Sequence, residues 1–456
     1  MKTLKLFSTE AEALLGKQDL QEGVRYRMLS FCLAVPMAEE VCVCNLLTRR
    51  LITLTPEEYA LLERGVEASD MDDTARALAR DWFLVPEAHD DCQLCDELRF
   101  FWSTFNQPTG KYTNYSIMTT LDCNARCFYC YQMGRNRSRA HMSAETADAV
   151  ADFIARTADK GKATLHWYGG EPLYNASVID RISAALTARG IEFTADMITN
   201  GYLLDDAVAA RIADWHLTGV QISLDGTEEV YNRAKAYIHK EDPSPYRRVL
   251  GNIERALDHG LNVNIRVNID RHNAEDIFAL AEELAARFAG RKKLWIYAAG
   301  LYENEGPNHP QRDAEERMRL TDSLIAFEEH CRALGLGISG RLGKTMRFNR
   351  CMADAPKTVT VSPEGKLGKC DHAMETDIFG DIRSDKTDAA MLALWREKRN
   401  TAEECAGCPV YTDCYRLKKC TDDGIETCDP AYRKWQLHQK TMQLRRVCEV
   451  LLAEEK

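Results

Sequence analysis

The chain has 456 residues, more than one hydrophobic core usually supports, which predicts several domains. Its 59 basic and 70 acidic side chains give a net charge of −11, and no basic run is long enough to follow a nucleic-acid backbone. Residues 1–30 lack a signal-peptide pattern, and no stretch has the ~18 consecutive apolar residues of a membrane span. We therefore expect a cytoplasmic protein that binds neither nucleic acid nor membrane.

Residues 1–110 are predicted to form a small α/β domain and a linker. Three strand-like apolar runs lie between residues 28 and 55, and two helical patterns follow, up to residue 85. Thr55 and Pro56 supply the cap and the first position of the earlier helix. Residues 88–110 are interpreted as a connector.

Strand-like and helical patterns alternate regularly through residues 111–300. Six apolar runs are separated by five amphipathic stretches, most of which end in glycine. Successive βα units predict a parallel sheet, either open or closed into a barrel, with function at the carboxyl ends of the strands. Any one polar residue there could simply form a turn, but five groups in register favour a site. The groups are Cys123, Gly169 to Glu171, Thr199 to Gly201, Ser223 to Gly226, and Arg266 to Asn268.

Three cysteines, Cys123, Cys127 and Cys130, follow the first of these strands in CxxxCxxC spacing. Seventeen cysteines in a cytosolic chain indicate metal or redox chemistry rather than disulfides. Structural zinc sites use four protein ligands, whereas an iron–sulfur cubane held by three cysteines leaves one iron open. At these residues the sequence resembles the radical S-adenosylmethionine (SAM) superfamily, and the resemblance covers residues 112–300.

The resemblance implies an α/β fold: a partial (β/α)6 TIM-like barrel with a small winged-helix-like N-terminal α/β domain and a C-terminal cysteine-rich SPASM domain. It implies that the open iron of the Cys123, Cys127 and Cys130 cluster binds SAM and that one electron then releases a 5′-deoxyadenosyl radical. Tyr129 stands where the family places an aromatic residue against adenine, and Glu171 where it holds the methionyl amino group. The full set of implied SAM contacts is Tyr129, Gly169, Gly170, Glu171, Asn200, Ser223, Asp225, Arg233, Arg266 and Asn268.

A second group of cysteines follows residue 350 and resembles a SPASM auxiliary-cluster extension, although five residues separate Cys414 from Cys420 where relatives often have three. The resemblance implies two further clusters, one of which has only three ligands. Cys331 is a possible fourth, but its helical surroundings favour packing. A zinc-ribbon-like fold is the alternative. The implied sets are Cys405, Cys408, Cys414 and Cys428 for one cluster, and Cys351, Cys370 and Cys420 for the other.

The remaining cysteines are assigned no cluster. Cys92 and Cys95 form a CxxC between acidic residues, which disfavour thiolate, so they are interpreted as incidental, and a redox or regulatory role is the alternative. Four more are assigned to packing: Cys32, Cys42, Cys44 and Cys448. The expected division of the chain is residues 1–110, the barrel at 111–300, a bridging region at 301–350 and the auxiliary domain at 351–456.

The resemblance predicts a peptide maturase with SAM and three 4Fe-4S clusters, which takes electrons from a flavodoxin or ferredoxin. The N-terminal unit loosely resembles an element that holds the leader of a ribosomally made precursor peptide by strand addition; a structural cap on the barrel is the alternative. The three-ligand cluster favours a thioether at a substrate cysteine. Carbon–carbon crosslinking, epimerisation or another peptide oxidation remains open, as does a non-catalytic iron–sulfur sensor or scaffold. The fold does not decide among these reactions.

Overall fold

The computed structural model describes residues 2–5, 10–105, 110–132, 139–301, 314–339, 351–374, 376–397, 405–414, 419, 428 and 430–454. None of the helices in these ranges is long and apolar enough to cross a membrane.

The N-terminal region contains two small antiparallel sheets. A four-stranded sheet has the order β1-β5-β4-β3, and a three-stranded sheet has the order β6-β2-β7. The strands are β1 (Lys2–Lys5), β2 (Arg25–Met28), β3 (Cys32–Pro36), β4 (Val41–Asn45), β5 (Leu51–Leu54), β6 (Val66–Glu67) and β7 (Leu84–Pro86). The helices are α1 (Glu10–Leu15), α2 (Pro56–Glu63), α3 (Asp73–Arg80) and α4 (Asp91–Phe105).

The predicted start of α2 is present, whereas the predicted connector is wrong. Thr55 accepts a hydrogen bond from the Glu58 amide, and the Glu58 carboxylate accepts one from the Thr55 amide, which forms a capping box. The connector at residues 88–110 instead contains α4, 15 residues long. Cys92, Cys95 and Leu98 share one buried face of this helix, so the two cysteines act as apolar residues at helical spacing.

The central sheet has nine strands in the order β13-β12-β11-β10-β9-β8-β14-β15-β16. The predicted alternation of strands and helices is confirmed, because β8 to β13 are all parallel. The strands are β8 (Asn114–Thr120), β9 (Lys162–Gly169), β10 (Glu192–Thr199), β11 (Leu217–Ser223), β12 (Asn262–Ile269) and β13 (Leu294–Gly300). The helices are α5 (Ala144–Thr157), α6 (Ala176–Ala188), α7 (Asp206–Ala209), α8 (Glu228–Lys235), α9 (Pro245–Asp258) and α10 (Asp276–Phe288).

This sheet continues past the predicted boundary at residue 351. Strand β14 (Thr358–Val361) pairs in parallel with β8, and β15 (Lys366–Gly368) and β16 (Ile378–Asp381) follow as antiparallel strands. The first part of the predicted auxiliary domain therefore extends the central sheet. The remaining helices are α11 (Ala314–Ala333), α12 (Ala389–Leu394) and α13 (Pro430–Glu454).

The N-terminal and C-terminal regions share one hydrophobic core. Phe31 and Leu46 of the first region and Tyr411 of the second are buried in it, and the Phe31 and Tyr411 rings stack with centroids 6.0 Å apart. The cysteines in this core are Cys42, Cys44, Cys92, Cys95, Cys405 and Cys448, with Cys32 and Cys408 packed against it. Residues 1–110 and 351–456 are thus joined by packing.

Candidate functional site

The structure brings the predicted strand-end residues to one edge of the sheet. The loop with Cys123 follows β8, Glu171 follows β9 and Asn200 follows β10. Asp225 follows β11, and Asn268 lies near the end of β12. Because these five strands are consecutive parallel neighbours, their carboxyl ends meet at one site.

The three-cysteine loop is held by hydrogen bonds to its sulfur and backbone atoms. The Ala125 amide and the Asn200 side-chain amide donate to the Cys123 sulfur at 3.3 and 3.7 Å. The Cys130 amide donates to the Cys127 carbonyl at 3.1 Å. Burial raises the pKa of the Cys123 thiol to about 12, and the charges of Glu171, Cys127 and Cys130 add to the effect. A bound metal reverses this preference, since it deprotonates its thiol ligands.

Gly169 and Gly170 let the end of β9 approach the cysteine loop closely. The Gly170 amide donates to the Thr120 carbonyl at 2.8 Å, and the Glu171 amide donates to the Asp122 carbonyl at 2.9 Å. A β-carbon at Gly169 would lie 2.2 Å from the Thr120 carbonyl oxygen, and one at Gly170 would lie 2.0 Å from that of Asp122. Only glycine fits this double contact.

Glu171 is a buried carboxylate with one acceptor position left open. It accepts hydrogen bonds from the Thr199 hydroxyl at 2.8 Å, the Asn200 amide at 2.8 Å and the Leu173 amide at 3.1 Å. A carboxylate has roughly four acceptor positions, so three donors leave room for another. Burial raises the pKa of Glu171 to about 7, against the opposing effect of these donors.

Asp225 is the centre of a buried polar network that includes Lys235. One Asp225 oxygen accepts from the Asn268 backbone and side-chain amides at 3.0 and 2.8 Å. The other accepts from the Tyr129 hydroxyl and lies 2.8 Å from the Lys235 ammonium, which also donates to that hydroxyl. Burial opposes the Lys235 charge, but Asp225, Tyr129, Cys127 and Tyr231 together outweigh burial and hold the lysine pKa well above its ordinary value.

Lys235, and not the predicted Arg233, lies among the residues at this edge of the sheet. The Arg233 side chain is 66% exposed and pairs with Glu229 one turn away on α8, so the structure does not bring it to the site. Lys235 shares a buried helical face with Tyr231 and Ala234. The signal in the sequence is a lysine one helical turn, four residues, after the apolar Tyr231.

Ser223 and Arg266 complete the group of strand-end residues. They are paired across β11 and β12, and the Arg266 guanidinium donates to the Asn268 side-chain oxygen at 2.8 Å. All the predicted contacts except Arg233 therefore lie on the loops and strand ends that surround Glu171 and Asp225.

Four of the predicted auxiliary cysteines line one pocket. Cys405, Cys408, Cys414 and Cys428 surround it together with Arg99 and Arg433, and the pKa of Cys405 is raised to about 11 by burial and by the other three thiols. Among the described residues no three Cys, His, Asp or Glu side chains already converge as a metal site.

The second auxiliary set is described only in part. Cys351 and Cys370 pack against the same small cluster of Ala353 and Trp395, whereas Cys420 lies outside the described residues. Cys331 is fully buried in the main core, which agrees with a packing role.

Residues 117–284 match the model of the Radical SAM superfamily, so the chain contains a radical SAM domain. Among curated proteins, GTP 3′,8-cyclase of Clostridium perfringens is 25% identical over 279 residues, covering 58% of this chain and 82% of the relative. Mycofactocin maturase MftC of Mycolicibacterium smegmatis is 25% identical over 315 residues, covering 65% and 75%. PqqA peptide cyclase of Gluconobacter oxydans is 27% identical over 286 residues, covering 60% and 74%.

Solved structures of radical SAM enzymes share the fold. One is anSMEcpe with bound S-adenosylmethionine, with a TM-score of 0.58 and 17% identity over 75% of this chain and 99% of that chain. Another is SuiB of Streptococcus suis bound to S-adenosylmethionine, with a TM-score of 0.51 and 14% identity over 91% of this chain and 98% of that chain. These likenesses establish the α/β fold with its largely parallel sheet.

Proposed function

We propose that this chain is a radical SAM enzyme that reductively cleaves S-adenosylmethionine and modifies a ribosomally synthesised precursor peptide, most specifically by installing a thioether at a substrate cysteine. The observation that carries the proposal is the meeting of three loop cysteines with Gly169 to Glu171 and with Asp225 at one edge of the parallel sheet. The match of residues 117–284 to the Radical SAM superfamily supports the same reading.

The donor set suits a three-cysteine 4Fe-4S cluster with SAM. Cys123, Cys127 and Cys130 supply thiolates, and the two hydrogen bonds to the Cys123 sulfur are of the kind that tune cluster ligands. The open acceptor position of Glu171 suits an amino group, and the glycines bring the backbone close enough for contact. Tyr129, Asn200, Ser223, Asp225, Arg266 and Asn268 are the proposed further contacts.

When bound, the cluster and SAM supply a 5′-deoxyadenosyl radical that removes a hydrogen atom from an unactivated carbon. The residues of this chain fix where that happens. Asn268 and Lys235 both hold the Asp225 carboxylate, and Lys235 also holds the Tyr129 hydroxyl beside the cysteine loop. This fixed polar network positions the ligand without reorganisation and limits the water near it.

A peptide substrate is supported by the relatives and by the N-terminal region. One relative is named as PqqA peptide cyclase, another as a mycofactocin maturase, and SuiB has been solved bound to the precursor peptide SuiA. The four-stranded sheet of this chain ends in β1 and β3. In our proposal the leader of the precursor adds to an end strand of this sheet through main-chain hydrogen bonds.

The thioether assignment depends on the second auxiliary set. In our proposal Cys351, Cys370 and Cys420 would be its only three ligands, so a cluster there would leave one iron available to a substrate thiolate. Binding the sulfur near the carbon radical turns an encounter into a positioned reaction. We propose a second cluster at Cys405, Cys408, Cys414 and Cys428, with a flavodoxin or ferredoxin as the electron source.

A carbon–carbon crosslink is the second candidate, because one relative is named as a peptide cyclase. Both reactions remove two hydrogens, but only a thioether consumes a thiol. GTP is a third substrate to exclude, since another relative is a GTP 3′,8-cyclase. A sensor or scaffold without turnover forms no 5′-deoxyadenosine under any condition.

The test is anaerobic incubation of the cluster-loaded chain with SAM and dithionite, with and without the cysteine-containing peptide encoded beside its gene. We expect 5′-deoxyadenosine, and a peptide that is two hydrogens lighter and has one fewer alkylatable thiol. Replacing Cys123, Cys127 and Cys130 with Ala should abolish SAM cleavage. A lighter peptide that keeps all its thiols would support the carbon–carbon crosslink. Turnover with GTP in place of the peptide would contradict the peptide proposal. SAM cleavage by the triple variant would contradict the assignment of the three cysteines to the SAM-binding cluster.

A further inference from the structure

Two arginines from distant parts of the sequence flank the pocket of Cys405, Cys408, Cys414 and Cys428. Arg99 belongs to α4 in the N-terminal region, and Arg433 belongs to the first turns of α13. Arg99 lies outside the expected auxiliary domain at 351–456, and Arg433 lies within it, five residues after Cys428.

Arg99 is bound to the backbone of the cysteine loop. One of its guanidinium nitrogens donates to the carbonyl oxygens of Tyr411, Thr412 and Cys414 at 3.0, 3.2 and 3.3 Å. Its guanidinium carbon lies 5.2 Å from the centroid of the Tyr411 ring. The side chain is 13% exposed, so solvent screens its charge only weakly.

Arg433 lines the same pocket as the four cysteines, next to Tyr432 and Gln436 of α13. The Asp96 carboxylate is 3.6 Å from Arg99 and accepts a hydrogen bond of 2.7 Å from the Tyr411 hydroxyl. Asp413, in the same loop, is paired with Arg49 and with Lys440. Arg99 and Arg433 thus flank the four thiols, and Asp96 partly offsets the charge of Arg99.

We propose that Arg99 and Arg433 are the charge partners of an anionic iron–sulfur group held by these four cysteines, and that α4 of the N-terminal region is therefore part of the auxiliary metal site. The inference rests on the proposed function, which places a cluster there. A 4Fe-4S cluster with four thiolates is negatively charged and gains one more negative charge on reduction. Cations in a poorly screened site stabilise the reduced state more than the oxidised state and so raise the midpoint potential.

The test is a redox titration, followed by electron paramagnetic resonance, of the full-length chain in which Cys123, Cys127 and Cys130 are replaced by Ala. The signal that disappears in an added Cys408→Ser variant identifies the four-cysteine site. We expect Arg99→Gln and Arg433→Gln each to shift the midpoint potential of that signal downwards, and the double variant to shift it further. Arg99→Lys should stay near the unsubstituted value, because it keeps the charge.

Arg181→Gln is the control, since Arg181 is an exposed arginine paired with Asp148 on the outside of the sheet domain, and it should leave the potential unchanged. Full iron content with an unshifted potential in both Gln variants overturns the inference. If the Arg99→Gln variant fails to load iron, the Arg99→Lys variant decides between two roles. Restored iron loading supports the charge role of Arg99. Loading that is not restored shows that Arg99 acts only by holding the loop carbonyls, and this result overturns the inference. An unsubstituted chain without an iron–sulfur signal from these cysteines contradicts the proposed function itself.

Discussion

The ring of Tyr131 stacks on the imidazole of His372, with centroids 3.9 Å apart and planes 11° from parallel. Tyr131 directly follows Cys130, and His372 lies two residues after Cys370, so the stack joins the two cysteine-bearing segments. The Tyr131 hydroxyl lies 2.8 Å from that of Tyr168, a residue near the end of β9. The end of β9 is thus tied to both segments.

Removing the stack should loosen the segment after Cys370. We expect His372→Ala to lose about 1 kcal/mol of local stability, the usual value of an aromatic pair, and His372→Phe to lose much less. Hydrogen exchange at the amides of residues 371–374 measures this and should be roughly fivefold faster in the Ala variant. Equal exchange in His372→Ala and the unsubstituted chain would show that the stack contributes nothing.

Lys235 and Arg233 give a matched pair on one short helix. Lys235→Met leaves the Asp225 carboxylate buried without its cation, so we expect a loss of about 3–5 kcal/mol in the free energy of unfolding. Arg233→Ala removes an exposed pair and should change it by less than about 0.5 kcal/mol. Anaerobic urea unfolding of the cofactor-free chain measures both. Similar losses in the two variants would contradict the buried network as described.

The sequence predicted the parallel strands and the residues at their ends because both depend on local patterns. The apolar runs and amphipathic stretches of residues 111–300 repeat at strand and helix spacing, and glycine and polar residues mark each strand end. The helix cap at Thr55 was predictable for the same reason, since all its partners lie within three residues.

The missed features depend on contacts between distant segments. Arg99 lies more than 300 residues from the carbonyls that it binds at 411–414, so no local pattern links them. The helix α4 was missed because residues 88–110 were interpreted as a connector, and the apolar face that Cys92, Cys95 and Leu98 form at helical spacing was not recognised. Arg233 was predicted by resemblance to the family, and the resemblance did not point to Lys235, which its ion pair with Asp225 allows to be buried.

The glycine pair at the end of β9 predicts a sharp contrast between two Gly→Ala variants. At Gly170 the added carbon would lie 2.0 Å from the Asp122 carbonyl oxygen, so the backbone must shift. We therefore expect the free energy of unfolding to fall by about 2–3 kcal/mol and SAM binding to be lost. At Gly251, in the middle of α9, nothing lies within 4 Å, so Ala should stabilise the helix by up to about 1 kcal/mol. Thermal unfolding and equilibrium dialysis with SAM test both. Normal SAM binding by Gly170→Ala would contradict the close contact as a requirement of the site.

Asp91, the first residue of α4, should make the anchoring of that helix depend on pH. Burial acts to raise its pKa, but hydrogen bonds from His89, Arg27 and the Ser30 amide outweigh burial and hold the pKa well below its usual range. A lowered acid pKa contributes stability above the unfolded value near ~3.9, and the contribution is lost as the pH falls below that value. We therefore expect Asp91→Asn to cost about 2 kcal/mol at pH 7, because it removes hydrogen bonds to a charged group. The difference in the free energy of unfolding between this variant and the unsubstituted chain should persist to about pH 5 and narrow below about pH 4.

Urea unfolding midpoints measured across this pH range test the prediction. The control is Asp385→Asn, which changes a 92% exposed side chain and should show little effect at any pH. A difference that widens on acidification would contradict the argument, since it would require Asp91 to bind its proton more tightly in the folded chain than in the unfolded one.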